Sequence, residues 1–153
     1  MSGFYEFSDL KVAMRVNVEG AYQPDGSLKA NLISIKSDGD ADELEGTISR
    51  VDVDGHGVEI FGMHLEMSAA VEIKDVDKRA LGFAALQPGM RVKVKGKAGP
   101  AGRFAPQKIK VKLPTPDAMD EIESTITGID PQAFTLTVMG FRVDCDPDVE
   151  IEA

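Results

Sequence analysis

Apolar and polar residues alternate in two stretches of this chain. Residues 14–19 have the sequence MRVNVE and residues 90–95 the sequence MRVKVK, so that Met or Val recurs at every second position. Successive side chains of a β-strand point to opposite faces, and this pattern therefore predicts half-buried strands. The turn sequence AYQPDGS follows the first stretch, and its Pro24 and Gly26 are typical of a tight turn. The first strand is thus predicted to form a hairpin with the segment 28–35.

The same sequence pattern occurs twice along the chain. Residues 10–36 align without a gap to residues 86–112, and residues 43–73 align without a gap to residues 121–151. Core positions and turn glycines agree together, which is the signature of an internal repeat. The alignments predict one intact module at 37–115 and a second module formed by residues 1–36 plus 116–153. On this interpretation the first and last residues of the chain lie in one loop of the second module.

The intact module predicts the order of its elements. Three strand segments (ELEGTISRVD, GVEIFGMHLEMS and VEIK) precede a short helical turn at about 78–87, and two more strands form a final hairpin that ends at Leu113. Three strands, a helical turn and two strands is the order of an OB-fold, a small Greek-key barrel. The predicted class is all-β, with two OB-fold-like five-stranded barrels, each with a short helical turn between strands 3 and 4, related by a pseudo-two-fold internal repeat. A swapped dimer, in which residues 1–36 complete another copy, is the alternative to a monomer.

Two motifs resemble a known bacterial family. The segment ELEGTISRVD at residues 43–52 and the segment FSDLKVAMRVNVEGAYQPDGSLKANLISIK at residues 7–36 are similar to the OB-like domain family DUF5666. The resemblance covers nearly the whole chain in two copies, one of them circularly split. It implies a fold rather than an activity, and it supplies no catalytic residue. The chain departs from the family pattern at Ala13, where a Gly is usual and where the other copy has Gly89.

Composition and charge restrict the function classes. The net charge is −9 and the pI is about 4.7, whereas non-specific nucleic-acid binding requires a positive field. No apolar run reaches the roughly 20 residues of a membrane span, and MSGFYEFSDL lacks the features of a signal peptide. We therefore expect a cytoplasmic protein without membrane contact, or a periplasmic one if an export signal has been removed.

A basic hairpin is the most unusual feature of the sequence. Residues 91–112 contain eight positive side chains and no acidic one: Arg91, Lys93, Lys95, Lys97, Arg103, Lys108, Lys110 and Lys112. The first four alternate with apolar residues and are expected to share one solvent face. They are candidates for binding an anion or a partner, and the alternatives are a solvated surface or a patch docked on the acidic module. Single-strand binders also use stacking aromatics, and the chain has no Trp.

Other candidate sites fail on spacing. Asp38, Asp40 and Asp42 resemble the start of a calcium loop, but the required Gly and Glu positions hold Glu43 and Ser49. The two histidines, at positions 56 and 64, have no zinc-ligand spacing. The single cysteine, at position 145, is expected at an inward position as an inert thiol. We therefore expect no metal, no cofactor and no catalytic set, and hence no enzyme.

The favoured hypothesis is a non-enzymatic binding or assembly module that contacts an unknown protein partner or itself. The first alternative is single-stranded nucleic-acid or polyanion binding through the basic hairpin 91–112. The second alternative is small-ligand or oxyanion binding between the modules.

Overall fold

The computed structural model describes residues 5–37, 39, 41–99, 104–115 and 118–153. In these ranges the regular structure consists of β-strands and two short 3-10 turns, which confirms the all-β class. The chain divides into two compact units. Unit 1 comprises Met1–Asp42 with Met119–Ala153, and unit 2 comprises Glu43–Ala118.

Unit 1 is built from both ends of the chain. Its strands are β1 (Arg15–Tyr22), β2 (Leu28–Lys36), β10 (Asp120–Asp130), β11 (Thr135–Val138), β12 (Phe141–Asp144) and β13 (Glu150–Glu152). β1 pairs antiparallel with β2 and with β10, and β10, β11 and β12 follow one another as an antiparallel meander. β12 and β13 both pair with β2 in parallel. The backbone N–H of Tyr5 donates to the carbonyl of Ile151 at 3.2 Å, so the two chain segments also meet outside the strands.

Unit 2 contains the strands β3 to β9. Their bounds are β3 (Asp42–Thr47), β4 (Arg50–Asp52), β5 (Gly57–Ile60), β6 (Met63–Glu66), β7 (Glu72–Lys74), β8 (Arg91–Ala98) and β9 (Phe104–Lys112). β3, β8, β9 and β7 are neighbours in that order, and β4, β5 and β6 form a three-stranded antiparallel sheet. β8 and β9 are antiparallel, whereas β7 runs parallel to β9.

The core of each unit is formed by the inward-facing aliphatic residues of its strands. Val16 and Val18 on β1 and Val92 and Val94 on β8 are completely buried. This burial confirms the alternation predicted from the sequence for the two strands. Each such side chain contributes roughly 1.5–3 kcal/mol to folding through removal from water.

A glycine lets β8 and β9 approach each other at a bulge. The pairing register shifts between Lys95 and Gly96. A Cβ atom at position 96 would overlap the carbonyl oxygen of Ala105 on the neighbouring strand. Gly96 is therefore required by close backbone contact, as is typical of glycines at bulges.

A short 3-10 turn precedes the hairpin in each unit. The first spans Phe7–Asp9, and the ring of Phe7 packs against Phe134 with centroids 5.3 Å apart. The second spans Phe83–Ala85, and Phe83 stacks on His56 with centroids 4.7 Å apart. The helical turn expected at about 78–87 is thus only three residues long.

Candidate functional site

The basic hairpin forms the strand pair β8–β9, whose register places lysines directly opposite one another. Lys93 lies opposite Lys110, and Lys95 lies opposite Lys108. Residues opposite each other on neighbouring strands point to the same face of the sheet, and like charges at such positions are destabilising. The register therefore places these lysines side by side on one face of the sheet, at a cost in stability.

β7 extends the same charged face on the other side of β9. Glu72 lies opposite Lys108, and Lys74 lies opposite Lys110. Three lysines, Lys74, Lys110 and Lys93, therefore form one row across three strands. Lys74 was not among the site residues predicted from the sequence, because the parallel pairing of β7 with β9 joins residues far apart in the chain. The repeat alignment, which places VEIK in the third strand, was the only available signal.

These strands line a surface groove with a volume of about 290 Å³. Its lining contains six lysines together with Glu72 and Ile109, and we call the six the lysine face: Lys74, Lys93, Lys95, Lys108, Lys110 and Lys112. The structure thus brings five of the eight predicted site residues together around one groove. The remaining predicted residues are Arg91, Lys97 and Arg103.

Acidic neighbours neutralise only part of the lysine face. The carboxylate of Glu43 lies 3.4 Å from the ammonium group of Lys95 and 3.8 Å from that of Lys93. Glu72 accepts from Lys74 at 3.0 Å, and this hydrogen bond, with the nearby charges of Lys74 and Lys108, lowers the pKa of Glu72. Two carboxylates among six lysines leave an excess of positive charge in the groove.

Arg91 does not belong to the solvent-exposed row, and the expectation that it does is wrong. Its side chain is only 8% exposed and lies 3.3 Å from the carboxylate of Glu45 on β3. Unit 1 has a matching ion pair between Arg15 and Glu123 at 3.1 Å. Arg91 is therefore part of a buried ion pair that joins two strands.

Of the other two predicted residues, one lies away from the groove lining and the other lies outside the residues that the structure describes. Lys97 is exposed on β8 beyond the bulge, where its partner in the register is Ala105. Arg103 lies outside the described residues.

In unit 1, β1, β2 and β13 pair in the same directions as β8, β9 and β7 of unit 2, with different side chains. Where unit 2 has Lys93 opposite Lys110 and Lys110 opposite Lys74, the pairs in unit 1 are Asn17 with Ser34 and Ser34 with Glu152. Strand pairing of this kind therefore forms without a lysine cluster.

The structure also locates the other residues singled out in the sequence. Cys145 is buried, as predicted, and burial together with the charges of Asp144 and Asp146 raises its thiol pKa to about 12. Within the described ranges no three His, Cys, Asp or Glu side chains are grouped to hold a metal ion. Asp38 and Asp40 of the rejected calcium motif lie outside the described residues. No helix in the described part of the chain has the length and apolar character to cross a bilayer.

Fold and site together define an all-β protein with a cationic groove on one sheet. Residues 45–110 match the model of the family described as "Domain of unknown function (DUF5666)". This match confirms, for that stretch of unit 2, the resemblance noted from the sequence. The match includes most of the strands that carry the lysine face. Neither a curated protein nor a solved structure matches the chain.

Proposed function

We propose that this chain is a non-enzymatic binding module made of two OB-like units, and that the lysine face of unit 2 binds an anionic partner. The OB-like assignment is supported by the strand pairings of unit 1, in which β1, β2, β12, β11 and β10 are linked in sequence and β10 pairs again with β1. A cyclic set of five strands is the arrangement expected of a small barrel.

The clustering of six lysines around one groove is the observation that carries the proposed binding role. Directly opposed like charges reduce stability, and unit 1 has neutral or acidic side chains at the corresponding places. The fold therefore does not account for the lysines. An anionic partner does, because it would remove the mutual repulsion of the ammonium groups on binding.

An acidic protein surface fits the lysine face better than a nucleic acid does. Single-strand binders hold bases on aromatic side chains. The described lining of the groove contains lysines, one glutamate and one isoleucine but no aromatic residue. Polyanion binding by phosphate contacts alone remains the second candidate, since lysines contact phosphate as readily as carboxylate.

Binding to immobilised poly-glutamate and to a labelled single-stranded oligonucleotide tests the proposal. We expect the protein to bind poly-glutamate at low salt and to be released as salt screens the charges. The variant Lys108→Gln/Lys110→Gln should bind roughly tenfold more weakly, since removing one charge contact typically costs about 1 kcal/mol or more. Lys78→Gln, an exposed lysine of the same unit outside the groove lining, is the matched control. Equal binding by the double variant and the wild type would refute the proposed site, and tighter binding to the oligonucleotide would favour the second candidate.

A further inference from the structure

The strands of unit 1 that correspond to the lysine face carry acidic side chains. Glu150 on β13 lies opposite Leu32 on β2, and Leu32 lies opposite Glu19 on β1. Glu19 in turn lies opposite Glu121 on β10. One row across four strands therefore contains three glutamates. The next row begins with Glu152.

We name the four glutamates Glu19, Glu121, Glu150 and Glu152 the acidic face. The corresponding row of unit 2 runs from Glu72 through Lys108 to Lys95. Leu32 and Glu19 of unit 1 thus correspond to Lys108 and Lys95 of unit 2. Glu19 and Glu152 of unit 1 take the places of Lys95 and Lys74 of unit 2, so the charge at these two positions is opposite. Glu150 takes the place of Glu72, where both units are acidic.

We infer that the anionic partner of the lysine face is a second copy of this chain, which binds there through its acidic face. This inference rests on the function proposed above and names the partner. It differs from a swapped dimer, because both units stay within one chain and only surface side chains form the contact.

The distribution of charge between the two units supports a second copy as the partner. Unit 1 has five Lys or Arg and sixteen Asp or Glu, a net charge of −11, whereas unit 2 has twelve and ten, a net charge of +2. Unit 2 of one molecule is therefore attracted to unit 1 of another. Complementary surfaces of this kind speed association and select one orientation.

The spacing of the charges supports the same conclusion. Alternate residues on one strand are about 6.6 Å apart, and neighbouring strands are about 4.8 Å apart. Both faces are built on this lattice, since each combines an antiparallel hairpin with a short parallel strand. Glutamates and lysines on the two faces therefore repeat at matching intervals, so several ion pairs can form together.

Charge reversal on each face gives a decisive experiment by analytical ultracentrifugation. The first variant, Glu150→Lys/Glu152→Lys, places two positive charges in the acidic face, and the second, Lys108→Glu/Lys110→Glu, places two negative charges in the lysine face. We expect the wild type to associate at an ionic strength of about 0.01 M and to dissociate at about 1 M, where the Debye length falls from about 30 Å to about 3 Å. Each variant alone should associate at least tenfold more weakly, and an equal mixture of the two should associate again.

The alternative results separate this inference from the proposed function. A wild type that stays monomeric at low salt but binds poly-glutamate overturns the self-association and leaves the anion-binding role. A wild type that stays monomeric and does not bind poly-glutamate overturns both the self-association and the anion-binding role. The inference is also overturned if the association of the wild type is insensitive to salt. It is overturned as well if the mixture does not associate although both variants keep the circular dichroism spectrum of the wild type. If a reversal variant does not fold, Glu150→Gln/Glu152→Gln and Lys108→Gln/Lys110→Gln should each weaken association, and unchanged association in either would refute it.

Discussion

Replacing Lys110 with Gln should make the protein more stable. Lys110 lies at the centre of a row of three lysines, with Lys93 opposite on β8 and Lys74 opposite on β7. In the described part of the chain no carboxylate lies within ion-pair distance of Lys110, whereas Lys93 and Lys74 each have a glutamate partner. Lys110 therefore experiences repulsion from two sides.

The size of the effect follows from these two neighbours. A cross-strand pair contributes roughly 0.2–1 kcal/mol, and partial exposure to water reduces the electrostatic share. Together the two pairs should destabilise the wild type by about 0.5–1 kcal/mol at low ionic strength. For a unit of this size, that corresponds to a rise in Tm of roughly 2–8 °C in the variant.

The assay is differential scanning calorimetry at low and high salt. The protein should be dilute, because self-association would add stability by mass action. We expect the difference between Lys110→Gln and wild type to shrink at high salt, since screening weakens the repulsion. Lys78→Gln, which removes one positive charge of unit 2 outside the groove lining, should leave Tm nearly unchanged. A lower Tm for Lys110→Gln at low salt, or a difference that salt does not affect, would refute the reasoning.

Two further substitutions test the roles of other residues. Arg91→Gln should destabilise unit 2 by about 2 kcal/mol in urea denaturation, because it leaves the largely buried carboxylate of Glu45 without this ion-pair partner. Binding to poly-glutamate should stay within about twofold of the wild type. A large loss of binding with unchanged stability would show instead that Arg91 belongs to the binding site. His56→Phe should raise the stability of unit 2 by about 0.5–1.5 kcal/mol, because a phenylalanine ring would then pack on Phe83 in place of the imidazole. Unit 1 already has such a pair of phenylalanine rings, Phe7 and Phe134. A fall in Tm would show that the imidazole has a role that a phenyl ring cannot replace.

Part of the fold and part of the candidate site were predictable from the sequence alone. The alternation of Val with polar residues at 90–95 predicted which side chains enter the core, because neighbouring residues of a strand face opposite sides. The same rule placed Lys93 and Lys95 on one face. The motif at 43–52 was sufficient to indicate the family that residues 45–110 match.

Tertiary structure decided which charges meet and which are covered. Lys74 joins the lysine face only because β7 pairs in parallel with β9, a contact between residues more than thirty positions apart. Arg91 has the same period as Lys93 and was expected beside it in solvent, yet Glu45 on β3 covers it. A strand's sequence specifies the side to which each residue points, whereas the strands that pack beside it determine whether that side is open to water.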